Sequence, residues 1–418
     1  MSPVVEVARA AKEAAAAVAT LPTELKNAAL RAMAAAVRRD GAHLVGVSAA
    51  EAARAKAAGH PAAFLDRLTL TPGRIRAMAE GLEAVAGLPD PVGEITGMRR
   101  RPNGLLVGRM RVPLGVIAVI YESRPNVTAD VAGLCLKAGN AVVLRGGSEA
   151  LETNGALAAL LTEAAVAAGV PKGALGFIAS PDRAAVAELA RLDRYIDCLI
   201  PRGGEDLIRA VKAQATVPVL AHEKGLCHTY VDAAADLGMA AEVAFNAKVE
   251  RPGVCNAMET LLVHEAVAPA FLPPFVARLR AAGVEVRGCP RTAALVPAVA
   301  PATEADWDTE YLDLILAVRV VASYEEAVAH IRRHGTGLAE AVVTADYATA
   351  LRFLRDVDAG AVFVNASTRF TDGGELGLGA EMGVSTQKLH ARGPVGLAEL
   401  TCTKFIVLGE GQVRRSAK

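Results

Sequence analysis

The sequence predicts an α/β protein with parallel sheets buried between layers of helices, and three observations carry that reading. From Gly115 onward, short runs rich in Val and Ile recur, each continuously apolar as a strand covered on both faces must be. Longer stretches with apolar residues at helical spacing separate them, the alternation of a βαβ protein. Two of the strand-like runs end in paired glycines beside an arginine, the turn chemistry of a sheet that binds phosphate.

Along the chain, residues 3–87 alternate Ala, Leu and Val with charges and are punctuated at Pro22, Gly41, Gly59 and Pro72, which predicts several packed helices. Glu94 to Val112 places Pro102-Asn103-Gly104 between two β-prone runs, a hairpin with an Asn-Gly tip. Strands are expected at Val116–Tyr121, Ala141–Arg145, Tyr195–Ile200 and His228–Val231, then at Leu261–Val263, Leu314–Val321, Ala341–Thr344 and Ala361–Val364. The last run, Leu400–Leu408, has no helix after it. A lone terminal strand must pair, and with the hairpin it would form a protruding sheet, within or between subunits.

Composition excludes several function classes. The 418 residues suffice for two or three domains, and 45 basic residues balance 45 acidic ones, so no net field draws nucleic acid or anionic lipid. Pro3 to Leu21 is Ala-rich but broken by Glu6, Arg9, Lys12 and Glu13, unlike the apolar core of a signal peptide, and no later run resembles a membrane span. Six cysteines without a C-x-x-C pair argue against a disulfide framework or zinc knuckle. A reduced, cytoplasmic protein is expected.

The most informative residue is Cys255, in the run from Glu250 to Thr260 (ERPGVCNAMET). It lies past a helical stretch and before an apolar run, with Arg251 four residues upstream and a Pro-Gly bend between. A thiol near a guanidinium and loose amides can act as a nucleophile; an isolated cysteine is more often simply buried. The phosphate turns are Arg145-Gly146-Gly147-Ser148 and Arg202-Gly203-Gly204, where glycines let a ligand approach backbone N–H groups. Ordinary βα turns also favour glycine, but two in one βαβ run favour a nucleotide. Gly377 to Gly383 has the wrong spacing for a dinucleotide fingerprint and no strand before it. His222, Cys227 and His228 lack further ligands at metal spacing, so no metal is expected. Glu223 reads either as a general base or as a solvated turn residue. No G-x-S-x-G elbow occurs.

With these motifs in place, the chain resembles the aldehyde dehydrogenase superfamily over nearly its full length. Four runs narrow the resemblance to the gamma-glutamyl phosphate reductase (glutamate-5-semialdehyde dehydrogenase) family: YESRPNVT at Tyr121–Thr128, LKAGNAVVLRGGSEA at Leu136–Ala150, RPGVCNAMET at Arg251–Thr260, and Val364–Leu397. The resemblance implies two parallel-sheet domains and a small β oligomerisation flap. It places 1–93, 113–228 and 366–392 in a cofactor-binding domain, 229–365 in a catalytic domain, and 94–112 and 393–418 in the oligomerisation hairpin and tail.

It also implies roles. Cys255 matches the nucleophile, and Asn126 polarises the substrate carbonyl. Arg145 faces the adenosine ribose, with Gly146, Gly147 and Ser148 in the same turn; Gly203 and Gly204 lie beneath the pyrophosphate, and Glu310 holds the nicotinamide ribose. Arg124, Arg251, Asn256 and Arg369 are the substrate-binding candidates. The implied cofactor is NADPH, since an arginine at the ribose suits a 2′-phosphate, and the implied reaction is reduction of an acyl phosphate through a cysteine thioester. A homo-oligomer and a functional link to glutamate 5-kinase are implied as well. One departure stands out: Leu338 and Ala339 occupy places where the family usually has His followed by Ser or Thr. Two other readings remain: a CoA-acylating aldehyde dehydrogenase, distinguished by assay with CoA, and a non-redox nucleotide-binding protein, distinguished by slow alkylation of Cys255.

Overall fold

The computed structural model describes residues 2–414 except 123, 222, 223 and 298, so the His222 and Glu223 readings lie outside the described residues. The first 87 residues form the expected helices, at Pro3–Val18, Thr23–Arg39, Gly41–Ala57, Ala62–Leu68 and Pro72–Gly87. The first and last start on side-chain caps, Ser2 accepting from the Val5 N–H and Thr71 from the Arg74 N–H, each with proline in the first turn.

Contacts divide the chain into two compact units, the first comprising 1–221, 378–383 and 395–418. Its parallel sheet has the strand order Leu175–Phe177, Ala141–Gly146, Val116–Tyr121, Cys198–Arg202. The two central strands are buried throughout, as continuous β-branched runs require, and helix Pro3–Val18 packs against them through Val4, Ala8 and Ala11. Three strands run outward in sequence and the fourth returns to the far side of the first. The carboxyl ends of Val116–Tyr121 and Cys198–Arg202 therefore flank a topological switch point, where open α/β sheets take their ligands.

Two expectations shift in register. The strand expected at Tyr195–Ile200 runs from Cys198 to Arg202, because Tyr195 and Ile196 donate back to the Leu192 carbonyl in a turn. The Asp197 carboxylate, accepting from the Val116 N–H at 2.8 Å, anchors the strand's start. The hairpin strands are Ile95–Arg100 and Leu106–Pro113, and their tip is wider than a two-residue Asn-Gly turn: Gly104 adopts φ 87° and its N–H donates to the Arg101 carbonyl. The tail strand Thr401–Leu408 pairs antiparallel with Leu106–Pro113 of the same chain, from Thr401 opposite Pro113 to Leu408 opposite Leu106. This completes a three-stranded sheet and leaves Phe405, Val407 and Leu408 exposed.

The second unit comprises 222–377 and 384–394. Of the segment 366–392, expected with the cofactor-binding domain, only 378–383 groups with the first unit. Its seven-stranded sheet is parallel at every pairing, in the order Ala300–Pro301, Glu285–Gly288, Ile315–Val321, Met258–His264, Cys227–Val231, Ala339–Val343, Ala361–Val364. Helices Leu237–Val249 and Ala268–Ala281 cover one face and Tyr324–His334 the other. Among the described residues, no helix is long and apolar enough to cross a membrane.

Candidate active site

Cys255 sits where helix Leu237–Val249 gives way, through a short turn, to the buried strand Met258–His264. The Ala257 N–H closes this turn on the Val254 carbonyl at 3.1 Å. Arg251 and Gly253 on the outside of the turn are exposed, while Cys255 is half-buried. Its inner side packs on an apolar cluster of Cys227, Leu338, Ala339 and Val384, so Leu338 and Ala339 form part of the wall behind the thiol. The Cys227 thiol donates to the Cys255 carbonyl at 3.3 Å; burial pushes that thiol well above its ordinary range, so it remains protonated.

Two further clamps hold the turn. Gly225 is pressed against it so closely that a Cβ there would come within 2.7 Å of the Cys255 Cα. The same glycine donates its N–H to Glu310 Oε1 at 3.0 Å, which ties the Glu310 carboxylate to backbone touching Cys255. On the other side, Asn256 donates to the carbonyls of Arg369 and Thr371 at 3.3 and 3.0 Å. The Arg369 guanidinium returns to Asn256 Oδ1 and donates through Nε to Glu250 at 2.6 Å. Cys255, Asn256, Arg369 and Glu310 thus form one connected group, with Arg251 exposed at its edge.

In the first unit, the two glycine turns flank the end of one strand. Arg145 is level with Ile120 in the parallel register and Arg202 with Tyr121. Arg145 is 7% exposed, donates to the carbonyls of Pro181 and Asp182 at 3.3 Å, and keeps its buried Nε without a partner. Gly146 and Gly147 follow it, buried, and Ser148 opens to solvent. Gly204 begins the helix Glu205–Gln214, and nothing lies within 4 Å of where its Cβ would be. Asn126 starts the helix Asn126–Lys137 and donates to Asp130 at 3.0 Å; burial raises the Asp130 carboxyl to about 6. Arg124 is exposed just ahead of it.

The aldehyde dehydrogenase family model matches residues 2–303 and 287–383. A gamma-glutamyl phosphate reductase from Moorella thermoacetica is 58% identical over 405 residues, covering 97% of each chain. One from Carboxydothermus hydrogenoformans is 55% identical over 99% of this chain and all of its own length. The crystal structure of gamma-glutamyl phosphate reductase from Thermotoga maritima superposes with a TM-score of 0.97 at 48% identity, covering 99% of this chain and 100% of that one. The chain belongs to the aldehyde dehydrogenase family, among its gamma-glutamyl phosphate reductases.

Members of this family are oxidoreductases that use a nicotinamide cofactor, and the first unit fits one. The orphaned Arg145 Nε and the open space over Gly204 at a helix N-terminus are both features that accept phosphate oxygens. Sequence reasoning missed Glu122 here. Its carboxylate accepts from the Gly204 N–H at 2.9 Å, and its backbone N–H donates to the Arg202 carbonyl. The signal was present in the YESRP run, since Glu122 directly follows the strand that pairs with Cys198–Arg202.

Proposed function

We propose that this chain reduces L-glutamyl 5-phosphate to L-glutamate 5-semialdehyde and phosphate with NADPH, the second step of proline biosynthesis from glutamate. The observation that supports it is Cys255, half-buried on a turn clamped by Gly225 on one side and by Asn256 and Arg369 on the other. An acyl phosphate is already activated, so the Cys255 thiolate attacks its carbonyl carbon. The carbon–oxygen bond to phosphate breaks, phosphate leaves with the electron pair, and a thioester forms on Sγ. Bound nicotinamide supplies the hydride that reduces this thioester. Breaking the carbon–sulfur bond then frees the aldehyde and restores the thiolate.

The oxyanion of each tetrahedral stage is assigned to the Cys255 backbone N–H, with Asn126, oriented by Asp130, as the second donor; losing one such donor typically costs about 3–4 kcal/mol. Water need not attack the thioester. The apolar wall of Leu338, Ala339 and Val384 fits that requirement, and a deacylating base such as Glu223 is unnecessary.

Among the arginines, Arg369 is engaged by Glu250 and Asn256, and exposed Arg251 is assigned to the substrate α-carboxylate, with Arg124 the other candidate that the resemblance implies. Arg369 and Asn256 then hold the turn. Arg145 is assigned to the 2′-phosphate of NADPH. The exposed three-stranded sheet is assigned to self-assembly, with Phe405, Val407 and Leu408 as its apolar surface. Deleting 399–418 is expected to reduce the assembly's size in sedimentation; an unchanged size would remove the tail from that role.

The deciding assay follows NADPH formation from glutamate 5-semialdehyde, NADP and phosphate. Phosphate-dependent NADPH formation is expected. Formation that ignores phosphate, or that requires CoA instead, would overturn the reading.

A further inference from the structure

Leu312 adopts φ 53°, in the left-handed region that disfavours a leucine, and its side chain is 48% exposed, so packing of that side chain does not impose the conformation. A buried carboxylate holds it instead. The Leu312 N–H donates to Glu259 Oε1 at 3.2 Å, and Glu259 Oε2 accepts from Lys248 Nζ at 2.7 Å. Both charged side chains are buried, at 1% and 0% exposure.

The loop held this way carries Glu310. Three successive residues are fastened in turn: Glu310 to Gly225 at 3.0 Å, Tyr311 through its hydroxyl to Asp306 at 2.7 Å, and Leu312 to Glu259. The Leu312 carbonyl faces Gly253, two residues before the nucleophile, 3.6 Å from where a Cβ would stand. Glu259 lies four residues beyond Cys255, on the strand that leaves the nucleophile turn. Burial pushes its carboxyl up to about 7 against the pull of Lys248, and Glu310 adds to the rise, so the two carboxylates sense each other.

Buried ion pairs contribute little net stability compared with apolar pairs of similar volume, and their best-attested use is to set register. We infer that Glu259, held by Lys248, is a positioning residue: by fixing Leu312 in its left-handed conformation it sets the aim of Glu310 toward the nicotinamide ribose. This rests on the nicotinamide-ribose role that the family resemblance implies for Glu310 and on the NADPH-dependent reaction proposed above. It makes Glu259 a determinant of cofactor affinity without contact to cofactor or substrate.

The test measures NADPH binding by fluorescence titration, alongside the rate of Cys255 alkylation by iodoacetamide. Two variants remove the anchor: Glu259→Ala, which leaves no acceptor for the Leu312 N–H, and the paired change Lys248→Met with Glu259→Met, which also leaves no buried unpaired charge. Each is expected to weaken NADPH binding about tenfold while alkylation changes less than about threefold. Adding Leu312→Gly to the paired variant is expected to recover most of the lost affinity, because glycine adopts the left-handed conformation unaided.

Unchanged affinity in folded variants would overturn the inference. So would a loss that Leu312→Gly fails to rescue, or failure of both variants to fold, since either makes the pair a general element of the core. If the unaltered protein bound no NADPH, the proposed function itself would fail; normal binding with unaffected variants would sink only this inference.

Discussion

Glycine does opposite jobs in the two units. Gly225, beside Cys255, has no room at all: a side chain there would run into the Cys255 backbone. Gly204, in the second glycine turn, has nothing within 4 Å of its missing Cβ. The first glycine lets the protein approach itself, and the second lets something else approach the protein. The hydrogen bonds divide in the same way. Around Cys255 they are internal and mutual, from Cys227, Gly225, Glu310, Asn256 and Arg369. At the glycine turns a buried Arg145 Nε stays unpaired. A covalent catalyst needs its reacting atom held still, whereas a phosphate cradle needs donors left over for the ligand.

The contrast can be tested most forcefully at the clamped end. Cys255→Ser is expected to lower turnover by at least about a hundredfold while NADPH binding survives, because a hydroxyl without a partner base is a poor nucleophile at neutral pH. Steady-state rates and a binding titration read the two halves separately; activity within tenfold of the unaltered protein would break the covalent mechanism.

A pair of glycine substitutions sharpens the comparison directly. Gly225→Ala forces backbone movement at the nucleophile turn and is expected to destabilise by about 1–3 kcal/mol, seen as a lower Tm, with slower alkylation of Cys255. Gly204→Ala meets open space at φ −67° and is expected to leave Tm unchanged or slightly raised. Equal Tm losses at the two sites would show that the glycines are not doing different work.

At the cradle, Arg145→Leu removes the cation from the strand end and is expected to lower the specificity ratio of NADPH over NADH about tenfold. An unchanged ratio of specificity constants would take Arg145 out of cofactor selection. The smallest effect is expected from Glu122→Gln. The glutamine keeps an acceptor for the Gly204 N–H but withdraws a negative charge from a helix N-terminus that a phosphate would share, so NADPH should bind about two- to fivefold tighter. Weaker binding in a titration would mean that Glu122 assists the cofactor.

Legibility in the sequence tracked how local the cause was. Val116–Tyr121 and Ala141–Gly146 could be read because their β-branched residues face a core on both sides, whatever their partners. Glu285–Gly288 could not: Glu285-Val286-Arg287-Gly288 has one large apolar residue, and it is a strand because Ile315–Val321 pairs with it. The early helices were marked by the breakers at Pro22, Gly41, Gly59 and Pro72. Cys255 was legible because a Pro-Gly bend and a buried apolar run bracket it within a few residues.

The sequence by itself determined the alternation of strands and helices, the cysteine at a strand entrance, the two glycine turns and the family that shares these runs. Tertiary structure alone decided that Gly225 supports a cysteine thirty positions later, that Glu122 reaches Gly204, and that a leucine adopts a left-handed backbone because Glu259 holds its N–H. The physical reason is range. Periodicity, capping and turn preference depend on neighbours along the chain, whereas these contacts depend on which strands lie side by side and in what register. A shift of one residue in the parallel register would bring other side chains to the same place.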